Sequence, residues 1–104
     1  MDYWLLFWRP GVGELTDAQV AGRLRAGDWQ CVPASDEVGA FRRDLIASDP
    51  EWPGMALLPR SGSGQPQDRY LAVVFGSAPA AEQVRDLRYV AARNRLRMFD
   101  PQAG

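Results

Sequence analysis

The 104-residue chain contains no histidine, and all twelve of its basic residues are arginine. It therefore lacks the commonest general base of enzymes, the partner in Ser-His and Cys-His nucleophile pairs, and the commonest metal ligand. Without lysine it can form neither a Schiff base nor a phosphate-binding P-loop. These absences exclude much familiar catalytic chemistry. The sequence favours a non-enzymatic protein over an enzyme and indicates no cofactor and no metal ion.

The chain also has few cysteines and almost no net charge. Cys31 is the only cysteine, so the chain has no internal disulfide and a reducing compartment such as the cytoplasm is expected. The net charge is −1, so no overall positive field attracts nucleic acid or anionic lipid. The N-terminal apolar run, Tyr3–Trp8, is too short for a membrane span or a signal-peptide core. We expect one cytoplasmic domain over residues 1–104 with no membrane partner.

Hydrophobic patterning predicts four strands and three helices, in the order β-α-α-β-β-α-β. The strands are expected at residues 3–8, 55–59, 70–75 and 95–99, and the helices at 16–27, 35–50 and 80–93. Pro59 favours an edge position for the second strand. Omitting the second helix leaves β-α-β-β-α-β, the ferredoxin-like split arrangement, in which the first and third strands are central. We therefore predict an α+β sandwich of ferredoxin-like type with one extra helix after the first helix.

Local signals define the helices in more detail. Thr16 and Gln19 are spaced as a capping box, and Gly27 is suited to the left-handed residue that ends the first helix. Asn94 is predicted to play that part for the third helix. The second helix is expected to bury Val38, Phe41 and Leu45 and to leave Arg42, Arg43 and Asp44 towards solvent, and residues 60–68 are predicted to form a mobile hairpin tip.

The two central strands are apolar on both sides. In the first strand, Tyr3, Leu5 and Phe7 alternate with Trp4, Leu6 and Trp8. A ferredoxin-like sheet normally exposes one face, so an apolar second face needs a cover. Three covers are considered: the second helix with its flanking aromatics Phe41 and Trp52, a second copy of the chain, or a different protein.

Other binding chemistries have weaker support in the sequence. Strand aromatics together with arginines are typical of RNA-recognition motifs, but the third strand lacks the required glycine-aromatic pattern, and nucleic acid is not expected. Cys31 has no neighbouring cation to lower its pKa and is interpreted as a structural thiol. Gly11 and Gly13 precede a helix but do not complete a dinucleotide fingerprint.

Both ends of the chain resemble a loosely defined group of small bacterial cytoplasmic proteins with no established activity. Their first strands read Tyr-Asp-Leu-x-Phe-Trp-Arg and their last strands end in Tyr-Asp-Pro-Gln. The matching residues are Tyr3, Leu5, Phe7, Trp8 and Arg9 at the start and Phe99, Asp100, Pro101 and Gln102 at the end. Phe99 stands where the group has tyrosine. By analogy, proteins of this size and type often look like immunity or antitoxin partners.

We therefore expect a non-enzymatic protein-binding module, in its most specific version a toxin-neutralising immunity-type protein. The partner is another protein or a second copy of the chain. The candidate partner-binding residues are Trp4, Trp8, Tyr70, Arg95, Arg97, Arg85 and Arg88. If a helix buries the aromatic ones, the arginine face of the third helix is the remaining surface. The alternative is a homodimeric ferredoxin-like protein with a small-molecule or monooxygenase-type site, for which Arg9, Arg97, Tyr70 and Trp8 are candidates.

Overall fold

The computed structural model describes residues 3–10, 15–47, 55–59, 64 and 67–101. The strands are β1 (Tyr3–Trp8), β2 (Met55–Leu58), β3 (Tyr70–Phe75) and β4 (Arg97–Phe99). The helices are α1 (Asp17–Arg25), α2 (Asp36–Ala47) and α3 (Ala81–Arg93), with a short 3₁₀ helix at Trp29–Cys31. The predicted order of strands and helices is confirmed. Trp52 and most of the predicted hairpin tip lie outside the described residues.

The strands form one antiparallel sheet in the order β2-β3-β1-β4. The two apolar strands β1 and β3 are central, and β2 is at an edge, as the sequence predicts. In the register, Leu5 lies opposite Val73 and Phe7 opposite Met98. With three helices packed on this sheet, the fold class is α+β, as predicted.

Helices cover both faces of the sheet. On one face, α2 and α3 pack on the odd-numbered residues of β1 and β3. This cluster contains Leu5, Phe7, Val38, Phe41, Leu45, Leu71, Val73, Phe75, Leu87, Ala91 and Leu96. On the other face, α1 and the 3₁₀ helix pack on the even-numbered residues, in a cluster of Leu6, Trp8, Val20, Ala21, Leu24, Val32, Tyr70 and Ala72. The second face is thus covered from within the chain.

The helix that covers the tryptophan face is α1, which corrects the suggestion that the second helix does so. In α2, Val38, Phe41 and Leu45 are buried as predicted, but they pack against the opposite face. The Phe41 ring meets the Phe7 ring edge-on, with centroids 4.8 Å apart. Alternation along a strand identifies which residues share a face, but it does not say which helix lies on that face.

Backbone capping fixes both ends of α1. The Thr16 N–H donates to Gln19 Oε1 at 2.9 Å, and the Gln19 N–H donates to Thr16 Oγ1 at 3.2 Å, which confirms the capping box. At the other end Gly27 has φ +89°, and the Asp28 N–H donates to the Arg23 carbonyl at 2.8 Å. This is a Schellman ending, in which the left-handed residue is glycine because no Cβ opposes that conformation.

The end of α3 differs from the prediction by one residue. Asn94 has φ −93° and still belongs to the last helical turn, whereas Arg95 has φ +59° and takes the left-handed position. The Leu96 N–H then donates to the Ala91 carbonyl at 2.9 Å. Leu96 is buried against α3 and Met98 packs beside it, so the predicted alternation of this segment is confirmed.

Arg42 is buried, contrary to the prediction that it faces solvent. Its side chain is 8% exposed, and its guanidinium donates to the carbonyls of Pro59 at 3.0 Å and Tyr70 at 3.3 Å. Those carbonyls lie where the hairpin leaves β2 and enters β3. Burial lowers the pKa of the Arg42 guanidinium from its usual value. The guanidinium therefore joins α2 to the base of the hairpin.

No helix in the described part of the chain is long and apolar enough to cross a membrane.

We expect Arg42→Lys to lower the free energy of unfolding by about 2 kcal/mol, because one ammonium group cannot donate to both carbonyls in the planar geometry of a guanidinium. Urea denaturation followed by tryptophan fluorescence measures this change. Arg43→Lys is the matched control, since Arg43 is the exposed neighbour on the same helix. An equal effect of the two substitutions would show that the guanidinium does not join helix and hairpin.

Candidate interaction surface

Two of the predicted partner-binding aromatics belong to the core. Trp8 is 1% exposed and Tyr70 is 5% exposed, and both pack beneath α1. The Trp8 ring lies 6.2 Å from the Phe99 ring, measured between centroids. Burial raises the pKa of the Tyr70 phenol. Neither side chain can contact a partner in this fold, so the predicted combined aromatic surface is wrong in these two residues.

Trp4 is half-buried at the margin of the same face. The guanidinium carbon of Arg25, at the end of α1, lies 5.3 Å from the Trp4 ring centroid, within the range of a cation–π interaction. The side chain of Arg25 therefore lies over the partly exposed Trp4 ring. Nothing in the sequence links these two residues, which lie on different elements.

Arg97 and Arg95 also behave differently from each other. Arg97 donates to Asp17 at 2.8 Å and so joins the edge strand β4 to the first turn of α1. This ion pair is exposed and contributes little to stability. Arg95 is exposed at the left-handed position after α3. Its positive charge contributes to lowering the pKa of Glu37, at the start of α2.

A polar cavity of about 350 Å³ lies at the start of α2, lined by Arg9, Ala34, Ser35, Asp36, Glu37 and Asp68. The Ser35 hydroxyl donates to Glu37, and Arg9 forms an ion pair with Glu37 at 3.4 Å. The hydrogen bond from Ser35, followed by that from the backbone and by the charges of Arg9 and Arg95, lowers the pKa of Glu37. The Glu37 carboxylate is thus held by Ser35 and Arg9 within the cavity.

The outer face of α3 carries the remaining candidates. Arg85 and Arg88 are exposed, and Tyr89 between them and Arg93 is 65% exposed. The Arg93 guanidinium carbon lies 5.9 Å from the Tyr89 ring centroid. Within the described residues, none of these three arginines has a salt bridge. The sequence predicts this face correctly, because Val84, Leu87, Val90 and Ala91 form the opposite, inner arc.

Cysteine and metal chemistry have no support in the described residues. The Cys31 thiol is partly buried and donates to the Asp28 carbonyl at 3.3 Å. Burial, together with the charge of Asp28, raises the pKa of this thiol, which favours the unreactive protonated form. In the described ranges, no group of three or more cysteine and carboxylate side chains is arranged to hold a metal ion.

Side chains of the first strand contact residues at and just after the last strand. The Tyr3 hydroxyl donates to the Asp100 carboxylate, and Trp8 packs on Phe99 across the β1–β4 pair. The hydrogen bond to Asp100 raises the pKa of Tyr3. These residues therefore have a structural role in joining the first strand to the last.

Arg69 is a residue that the sequence does not point to. Its guanidinium carbon lies 5.2 Å from the Trp29 ring centroid, and the guanidinium donates to the Val32 carbonyl at 2.9 Å.

Comparison with known proteins gives no relative, since no family model, curated protein or solved structure matches this chain.

We expect Glu37 to make stability pH-dependent in acid. Because its pKa is lowered by folding, its contribution is present above about pH 4.5, the ordinary value, and is lost as the pH falls through the folded-state pKa. The difference in unfolding free energy between the wild type and Glu37→Gln should be largest at neutral pH and should shrink on acidification. Urea denaturation at pH 7, 4 and 3 measures it.

Ser35→Ala is the companion variant, because it removes the largest cause of the lowered pKa. The pH-dependent part of the stability should be smaller in this variant than in the wild type. If the wild type and Glu37→Gln keep the same difference at every pH, the folded-state interaction of Glu37 is absent.

Proposed function

We propose that this protein is a non-catalytic protein-binding module, and that the outer face of α3 contacts an acidic surface of another protein. The observation that carries the proposal is the exposed Tyr89 ring among Arg85, Arg88 and Arg93, which have no carboxylate partner in the described residues. Tyrosine and arginine are enriched at binding hot spots. A carboxylate-bearing partner would complement the guanidinium groups directly.

The support for α3 as a binding element is partly mechanical. Leu87 and Ala91 anchor its inner side in the core, at 0% and 1% exposure. The outer side chains therefore project from a fixed helix, and binding would order only the side chains themselves. Arg93 already lies against the Tyr89 ring, which limits the freedom of both groups before a partner arrives.

The homodimeric alternative has less support. In dimeric α+β barrels two sheets stack face to face, but here α1 and the 3₁₀ helix already lie on the face that would be used. For the fold itself, we favour a ferredoxin-like split with α1 as the added helix. The central β1 and β3 and the shared face of α2 and α3 support it.

The most specific version of the proposal is a cytoplasmic immunity-type protein whose partner is a toxin. It rests on the resemblance at the two chain ends and on the single, partly buried cysteine, which suits a reducing compartment. Under this proposal, the face of α3 would cover an active or receptor-binding surface of the toxin.

A photo-crosslinking amino acid at position 89 tests the binding face. Incorporated in place of Tyr89 in the native cell, it should give a crosslinked adduct with one protein, identified by mass spectrometry. Ile46, which is 56% exposed at the end of α2, is the matched control position and should give no such adduct. The double variant Arg85→Glu and Arg88→Glu should abolish the adduct at position 89, because it reverses the charge of the face.

Equal adducts from positions 46 and 89, or an adduct that survives the charge reversal, would contradict the proposal. If the captured protein arrests growth when expressed alone, co-expression of the wild-type chain should restore growth and the charge-reversed chain should not. Restoration by both would contradict the role of the α3 face.

A further inference from the structure

A groove lies between α1 and the outer edge of β4, on the face of the sheet opposite α3. β4 pairs only with β1, so within the described residues its outer backbone groups have no strand partner. A cavity of about 180 Å³ opens beside this edge. It is lined by Ala18, Ala21, Gly22, Arg25, Phe99 and Pro101.

The groove has space for one apolar side chain. The Phe99 ring is part of the apolar cluster beneath α1, and the lining residues of α1 other than Arg25 are alanine and glycine. A Cβ built on Gly22 would meet no atom within 4 Å, so the space above that residue is open. An apolar group placed there would leave water and contact Phe99.

One guanidinium at the groove has no carboxylate partner among the described residues. The Arg25 guanidinium is held against Trp4, and it forms no salt bridge with any described carboxylate. Arg97, on β4 itself, is neutralised by Asp17 at 2.8 Å. The groove therefore favours an anionic group beside Arg25 and offers no matching preference at Arg97.

We propose that this groove binds an extended segment of a partner protein by strand addition to β4. The main chain of that segment pairs with the outer edge of β4, since only another extended chain can pair with a strand along its length. An apolar side chain enters the cavity, and an aspartate or glutamate of the same segment faces Arg25. This site goes beyond the proposed α3 surface, and it can be tested separately because the two lie on opposite faces of the sheet.

The probe is a phage library of random decapeptides displayed between flexible linkers. Selection on the wild-type chain should enrich peptides that share an apolar residue and a nearby aspartate or glutamate. A synthetic peptide of the consensus is then titrated by fluorescence anisotropy, beside a version with the acidic residue replaced by its amide.

Gly22→Leu is the blocking variant. The open space at Gly22 and the better helix propensity of leucine predict that the fold is kept, which the thermal unfolding temperature checks. Because the leucine fills the cavity, the consensus peptide should bind about tenfold more weakly or not at all. Ala92→Leu, an exposed substitution on α3, is the matched control and should leave peptide binding unchanged.

Arg25→Gln tests the charge. This substitution should weaken binding of the acidic peptide by about fivefold and leave binding of the amide peptide unchanged. Tyr89→Ala should not affect either peptide, so a failure of the α3 proposal is distinguishable from a failure of this one. The proposal is overturned if no peptide is enriched, or if the enriched peptides bind Gly22→Leu as well as the wild type. A dimer in sedimentation that Gly22→Leu dissociates would also overturn it, because the occupant would then be a second copy.

Discussion

The two central strands are apolar on both sides, and the rest of the structure depends on covering them. Apolar side chains project from both faces of β1 and β3. Leaving either face of the sheet in water would therefore destabilise the folded protein. Aromatic side chains bury about 150–250 Å² each, and at about 25 cal/mol per Å² one uncovered tryptophan costs several kcal/mol. The chain meets this constraint internally, with α2 and α3 on one face and α1 with the 3₁₀ helix on the other.

This internal cover changes what the aromatic residues indicate about function. An apolar second face first suggests a dimer or a foreign partner, because both would bury Trp8 and Tyr70. Here α1 buries them, and so their presence is explained by packing. Among the described residues, the outer side of α3 and the outer edge of β4 are the two features that the proposals use, and that edge has no strand partner there. They lie on opposite sides of the sheet and differ in chemistry: one presents arginines and a tyrosine, and the other is apolar with a single guanidinium.

The contacts between the first and the last strand fit the same picture. Tyr3 with Asp100, and Trp8 with Phe99, connect the first strand to the last. In this chain they stabilise the β1–β4 pair, and Phe99 keeps the packing without a hydroxyl.

Much of the local structure follows from the sequence, because the interactions concerned span only a few residues. The capping box of Thr16 and Gln19, the left-handed Gly27 and the inner face of α2 are all set within one or two helical turns. The outer arc of α3, and with it Arg85, Arg88 and Tyr89, is predicted for the same reason.

The choice of helix for each face of the sheet is not set by local interactions, because it depends on how α1 and α2 pack against strands far along the chain. Arg42 shows this most clearly: its place on the helix suggests solvent, whereas the distant hairpin base supplies the carbonyls that bury it. The sequence alone therefore determined the elements and the residues that share a face, and tertiary packing decided which of those faces stayed accessible.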